Sequence, residues 1–422
     1  MESATASHSR PIPDQSTRDR PFTATVTAVT GHPSWLERRL IARLRNVRFG
    51  SMRLTLPSGA RIRVDGDHPG PQCDVVLRSP MLLFRLMGSG DLGLAEGYMA
   101  GEFDTEDLSD LLRFGMANEH ALEAAIRPSV PVRFLCRVLH GLNVNSRGGS
   151  RRNIAAHYDL GNEFYRLWLD SSMTYSAAIF ETPDEPLETA QIRKYRRLAD
   201  SLGLKSGDRV LEIGCGWGGF AEIAARDYGC HVVGLTLSVE QAAYARARMR
   251  ALGLSDRVDI RIQDYRDVDG QFDSIVSIEM FEAVGERYWP TYLETLKARL
   301  AAGGRAALQI ITIDEDAFEG YKRTPDFIQR YIFPGGMLPP PKRFAHAVDA
   351  AELRVADTFF FGPCYAETLR RWDTAFREAW PTIRTLGFDD RFFRMWHYYL
   401  RYCEIGFETG RIDVAHFLIE QA

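Results

Sequence analysis

The sequence lacks any apolar run of membrane-spanning length, so no helical span is expected. Its first twenty residues, MESATASHSRPIPDQSTRDR, lack the apolar core of a secretory leader. Cysteine is sparse: there are six, and no two form C-x-x-C, which sets aside the common zinc and redox motifs. Without an export signal these thiols are expected to be reduced, in the cytoplasm. Excess charge is also missing. A net charge of −4 excludes a general nucleic-acid binder. With 45% hydrophobic and 26% charged residues, disorder of the whole chain is excluded, and 422 residues are enough for two domains.

Glycine is plentiful where it matters. Residues 210–219 read VLEIGCGWGG, a short buried-type strand running into a glycine turn and then a helix start. Gly214, Gly216, Gly218 and Gly219 give G-x-G-x-G-G, against the dinucleotide fingerprint G-x-G-x-x-G. With acidic Glu212 just before it and Cys215 within it, the turn resembles the first motif of class I S-adenosylmethionine (SAM) methyltransferases. Such a turn lets the backbone approach a ligand and presents free N–H groups.

Around this turn strands alternate with helices. Strands are expected at 209–213, 230–237, 258–263, 272–278 and 305–313, and helices at 187–202, from Ser238 onward, and at 288–301. This is the pattern of an α/β fold, a doubly wound Rossmann-like sheet. Ligands bind at the carboxyl ends of such strands. There Thr236 and Gln241 are placed for ribose hydroxyls, and Asp264 for an adenine amino group with Tyr265 stacking. An insertion at 314–341, rich in aromatics, is expected to form a lid. Residues 366–420 read as a largely helical tail.

Ahead of this domain, 1–30 reads as a disordered tail and 31–130 as a small α+β domain associated with lipid or membrane. Its expected parts are a basic amphipathic helix at 35–48, a hairpin of 53–56 with 60–64, and a helix at 103–116. A basic linker follows at 131–152, and 153–422 forms the SAM-dependent methyltransferase domain.

From about Gly88 to the end, the chain resembles the cyclopropane-fatty-acyl-phospholipid synthase family, which includes the mycolic acid cyclopropane synthases. The segments that carry this are GDLGLAEGYMAGEFD, HYDLGNEFYRLWLD, MTYSAAIF, VLEIGCGWGG, VGLTLSVEQ, QDYRDV, SIEMFEAVG, YIFPGGMLP and CYAETLRRW, in that order. The resemblance implies SAM as methyl donor, held also by Tyr175 and Ser176. It implies unsaturated phospholipid acyl chains as substrate, peripheral contact with the inner membrane face, and a homodimer. It further implies a bicarbonate base held by a cysteine, a glutamate, a histidine, an isoleucine backbone group and a tyrosine.

Glu282, Ile311 and Tyr365 match three of those positions. The family cysteine is Ala177 here and the histidine is Gln309, which leaves bicarbonate binding open. Glu282 is expected to be the centre of proton handling. Glu279, three residues earlier on a common helix face, would order it or contact the cofactor. Cys403 matches a C-terminal cysteine assigned to the active site in the family. The default product is a cyclopropane. An altered base site admits methyl or methylene branching of the tuberculostearic type, with a reductase as partner. A small-molecule N-methyltransferase is a further alternative.

Overall fold

The computed structural model describes residues 24–119, 121–122 and 160–422; the expected linker at 131–152 lies outside them. No helix among the described residues is long and apolar enough to cross a membrane.

The N-terminal part holds β1 (Thr25–Thr30), α1 (Trp35–Leu44), β2 (Phe49–Thr55), β3 (Arg61–Asp65), β4 (His68–Leu77), α2 (Met81–Ser89), α3 (Asp91–Met99), β5 (Phe103–Asp104) and α4 (Leu108–Ala117). Its five-stranded sheet runs β1-β3-β2-β4-β5. The expected hairpin is β2 with β3, and its alternating buried and exposed residues cover one face. Two expectations are corrected. Residues 25–30 are not tail but a strand paired with β3. The helix expected from 103 to 116 is split, because Phe103 and Asp104 pair with β4 and the Asp107 side chain caps α4 by accepting from Ser109 N and Asp110 N. The glycine-rich stretch is helical, as α3. A Cβ on Gly93 would fall 2.3 Å from Arg85 O and one on Gly97 2.4 Å from Leu82 Cδ1, so glycine lets α3 press onto α2.

The second part begins with α5 (Asn162–Arg166) and α6 (Leu187–Leu202). It continues through β6 (Arg209–Ile213), α7 (Gly219–Asp227), β7 (His231–Thr236), α8 (Val239–Ala251), β8 (Val258–Ile262), β9 (Phe272–Ile278), α9 (Trp289–Arg299) and β10 (Leu300–Ile313). Then come α10 (Glu315–Arg323), α11 (Pro341–Ala350), β11 (Leu353–Phe360), α12 (Gly362–Thr385), α13 (Asp390–Glu408) and β12 (Ile412–Gln421). The sheet order is β11-β12-β10-β9-β6-β7-β8. Strands β6 to β10 pair in parallel, and helices cover both faces, which is why Val210, Leu211 and Ile213 are all buried. The expected helical tail is helical only to Glu408. β12 is a strand inserted antiparallel between β10 and β11, and it carries His416 into the sheet.

Helix α13 joins the two parts. It packs on α3 and α4, and Arg394 pairs with Asp104 at 2.5 Å while Arg113 forks onto Glu408 at 2.8 Å. Beneath lie Asp373 and Glu404, both fully buried. Arg401 bridges them, with Nη2 2.8 Å from Asp373 Oδ2 and Nη1 2.7 Å from Glu404 Oε2. Removing the shared cation takes a charged partner from each buried carboxylate, leaving Asp373 with His397 and Glu404 with Arg370. Arg401→Met is therefore expected to cost about 3 kcal/mol, read by chemical denaturation; a loss under about 0.5 kcal/mol would show that this bridge is not what holds α13.

Candidate active site

The glycine turn closes β6. Gly214 and Cys215 both donate their N–H to Leu235 O on β7, at 3.0 and 2.8 Å. Gly214, Gly216 and Gly218 take φ of 86°, 50° and 84°, a region that L side chains avoid. A Cβ on Gly214 would lie 3.0 Å from Met280 Cγ. Cys215 is buried, and burial raises its thiol. Glu212 is buried one strand position below, and burial holds its carboxyl well above the usual range. At the end of β7, Thr236 Oγ1 donates to Gln241 Oε1 at 2.9 Å, so these two expected ribose ligands hold each other. Asp264, expected at an adenine amino group, is engaged within the chain. Its carboxylate closes on Arg266, at 2.8 and 2.5 Å, and caps a single turn, while the Tyr265 ring packs edge-on against Tyr292.

The chemistry gathers at the ends of β9 and β10. Glu279 and Glu282 do not share a helix face, as their spacing suggested. Glu279 stands in the left-handed region at φ 50°, and only a single 3-10 turn, Phe281–Ala283, follows. A non-glycine residue held there costs on the order of 1–3 kcal/mol and needs compensation. The compensation is visible. Glu279 N donates to Gln309 O at 2.9 Å. Its Oε1 accepts from Ser176 Oγ at 2.7 Å, Ala177 N at 2.9 Å and Gln309 Nε2 at 2.6 Å. Its Oε2 accepts from Tyr365 OH at 2.6 Å.

Gln309 is fully buried on β10, and its Oε1 lies 3.0 Å from His416 Nε2. Burial and the charges of Arg197 and Lys194 hold His416 well below its ordinary value, so it is neutral and Nε2–H donates to Gln309. That fixes the Gln309 amide with its NH₂ toward Glu279. Neither His416 nor Lys194 was anticipated as part of the site.

Glu282 is arranged differently. Oε1 accepts from Ile311 N at 2.5 Å, and Oε2 is buried with no hydrogen-bond partner. Burial, then the nearby Glu279 charge, pushes its carboxyl up to about 8. Glu282 is thus the neutral acid of the pair at neutral pH, and Glu279, not Glu282, gathers the donors. The residues expected to surround bicarbonate do not fit it: Ala177 N, Gln309 and Tyr365 are already spent on Glu279.

An aromatic wall faces this cluster. The Tyr365 ring stacks on Phe407 with centroids 4.4 Å apart, and Tyr175 packs on Trp372 at 5.3 Å while its hydroxyl meets Tyr399 OH at 2.7 Å. Cys403 lies on the same helix as Phe407, where burial raises its thiol, the opposite of what a nucleophile needs. In the lid, Tyr331 OH donates to Glu96 of α3 at 2.7 Å. Among the described residues no group of His, Cys, Asp and Glu is placed to hold a metal ion.

A parallel sheet with a glycine turn at its first strand end and a buried acid pair beside it defines a SAM-dependent methyltransferase. The family model for mycolic acid cyclopropane synthetase matches residues 146–417, and the chain belongs to that family. Tuberculostearic acid methyltransferase UfaA1 of Mycobacterium tuberculosis is 41% identical, over 80% of this chain and 81% of the relative. Cyclopropane-fatty-acyl-phospholipid synthase of Escherichia coli K12 is 35% identical, over 85% and 90%. The crystal structure of mycolic acid cyclopropane synthase CmaA1 with SAH and CTAB superposes with a TM-score of 0.60 at 32% identity, covering 64% of this chain and 98% of that one. SAM is the methyl donor.

The raised Glu282 carboxyl has a consequence for stability. The folded state holds its proton up to about 8, whereas the unfolded chain releases it near 4.5. This contribution is fully present below 4.5, declines as pH rises, and is lost above 8. Glu282→Gln keeps the neutral shape. Its melting temperature relative to wild type is expected to rise from about pH 5 to about pH 8.5; an equal difference at both would contradict the assignment.

Proposed function

We propose that this chain transfers the sulfonium methyl of SAM to a cis double bond in an unsaturated phospholipid acyl chain, giving a methylene- or methyl-branched product. The observation that carries the reading is the Glu279 carboxylate at the meeting point of Ser176, Ala177, Gln309 and Tyr365. Relatives named for fatty acid, phospholipid and tuberculostearic acid substrates support the substrate class. The rings around Tyr365 support a cationic intermediate, which their π faces would stabilise in the absence of water. Exposed Trp35, Met81 and Phe84 in the N-terminal part support peripheral contact with a bilayer.

In this reading the π pair of the acyl chain forms the new C–C bond. The S–CH₃ bond breaks with its pair left on sulfur, and the neighbouring acyl carbon becomes cationic. A hydride then migrates, with its pair, from the methyl-bearing carbon to that cation. Glu279 takes a proton from the methyl, and the released C–H pair becomes an exocyclic double bond. A carboxylate has about four lone-pair sites. Oε1 spends its share on three donors, while Oε2 serves Tyr365 and keeps a position for the proton. Hydride migration is intramolecular and needs no base. Ring closure needs a base at the methyl before that migration. A carboxylate tethered at four points supports the slower proton removal and hence branching. Saturating the methylene would take a hydride and a proton from a separate reductase.

The test uses methyl-labelled SAM and vesicles of cis-monounsaturated phospholipid, with the labelled carbon assigned by NMR. Label is expected in an exocyclic methylene. Glu279→Gln is expected to lose at least about 100-fold in turnover while still binding SAM. Label in a cyclopropane CH₂ would overturn the branching order but keep methyl transfer. No label in lipid would overturn the substrate class and favour small amines.

A further inference from the structure

Helix α6 buries a cation where its neighbours on the same face are apolar. Ala190, Lys194 and Leu198 follow at i, i+4 and i+8, and all three are fully buried. A buried ammonium costs several kcal/mol unless it is compensated. The Lys194 Nζ donates to Ser176 Oγ at 2.9 Å and lies 4.4 Å from the Tyr195 ring centroid. One turn earlier, the buried Gln191 donates from Nε2 to Ser176 O at 2.7 Å. The two side chains clamp Ser176 at its carbonyl and its hydroxyl. Ser176 Oγ accepts from Lys194 and, at 3.0 Å, from Gln309 Nε2, so its own proton is directed to the acceptor 2.7 Å away, Glu279 Oε1.

We propose that Lys194 is a positioning residue for the methyl-transfer reaction: through Ser176 it aims a hydroxyl donor at Glu279 and places a positive charge near this carboxylate. The inference rests on Glu279 being the base. The charged and titratable groups facing Lys194 come from several elements. Glu279 follows β9, Asp170 precedes α6 and Glu212 is on β6; of these Glu279 does most to favour the ammonium. Lys194 and Arg197, both on α6, act on His416 of β12 and help hold that imidazole neutral. Burial outweighs the carboxylates and brings the Lys194 ammonium down to about 7. Once neutral, the amine can accept from Ser176, and the hydroxyl then turns away from Glu279. The charged ammonium can only donate, so while Lys194 is charged it cannot draw the hydroxyl away from Glu279.

The test compares Lys194→Met, Ser176→Ala, Glu279→Gln and wild type. It measures turnover on cis-monounsaturated phospholipid vesicles across pH, with SAM affinity by calorimetry. Lys194→Met is expected to lower turnover at least about tenfold near neutral pH and to move the acid limb of the pH–rate profile upward, because a positive charge near a carboxylate is gone. SAM affinity is expected to stay within about twofold. Ser176→Ala cuts the link without disturbing α6 and is expected to move the limb in the same direction; it carries the test if Lys194→Met does not fold. An unmoved acid limb in the folded variants, with Glu279→Gln inactive, overturns the role of Lys194 alone. Retained turnover in Glu279→Gln overturns the base assignment beneath it.

Discussion

The convergence of four hydrogen-bond donors on one half-buried carboxylate is the constraint around which this site is built. A buried charge is tolerated only when its lone pairs are satisfied. Glu279 meets that condition with Ser176 Oγ, Ala177 N, Gln309 Nε2 and Tyr365 OH, drawn from a loop, a strand and a helix. Each donor is itself fixed from behind. Lys194 directs the Ser176 hydroxyl, His416 sets the face of the Gln309 amide, and Phe407 stacks on the Tyr365 ring. Removing the convergence would leave the left-handed backbone of Glu279 without its compensation.

The fold explains how such distant residues meet. Parallel strands present their carboxyl ends on one edge, so the turn after β6, the bend after β9 and the end of β10 share a crevice. β12 then enters antiparallel beside β10 and brings His416 opposite Gln309 in register. The long helices α12 and α13 wrap the open side with aromatic rings. Through α13 they tie the crevice to the N-terminal sheet, and the lid is tied there as well, by Tyr331 on Glu96.

Much of this was legible from residues. Buried strands such as 209–213 and 272–278 read correctly because both faces are covered and short runs of Val, Leu and Ile dominate their middles, with Arg209 and Asp273 exposed at the strand starts. The glycine turn was visible because glycine takes those φ values without the strain a side chain brings. The acid pair was misread for a physical reason: a three-residue spacing signals a helix face only if a helix forms, and the bend after β9 forbids one. β12 was hidden behind two amphipathic helices whose aromatic content it shares. Lys194 sits in QIRKYRRLAD among residues that look solvated, and the one available signal was its place at i+4 from Ala190 and i−4 from Leu198. The pairing of Asp264 with Arg266, two residues on, was not read from the sequence, where Asp264 was placed only for an adenine amino group.

The central claim is that proton removal belongs to the chain's own carboxylate and not to a small anion held by the site. The most direct measurement is the initial rate on cis-monounsaturated phospholipid vesicles in carbonate-free buffer, repeated as bicarbonate is added at constant pH and ionic strength. With Glu279 occupying the donors, the rate is predicted to be the same at every bicarbonate concentration. A rate that is negligible without bicarbonate and climbs to saturation with it would contradict the account.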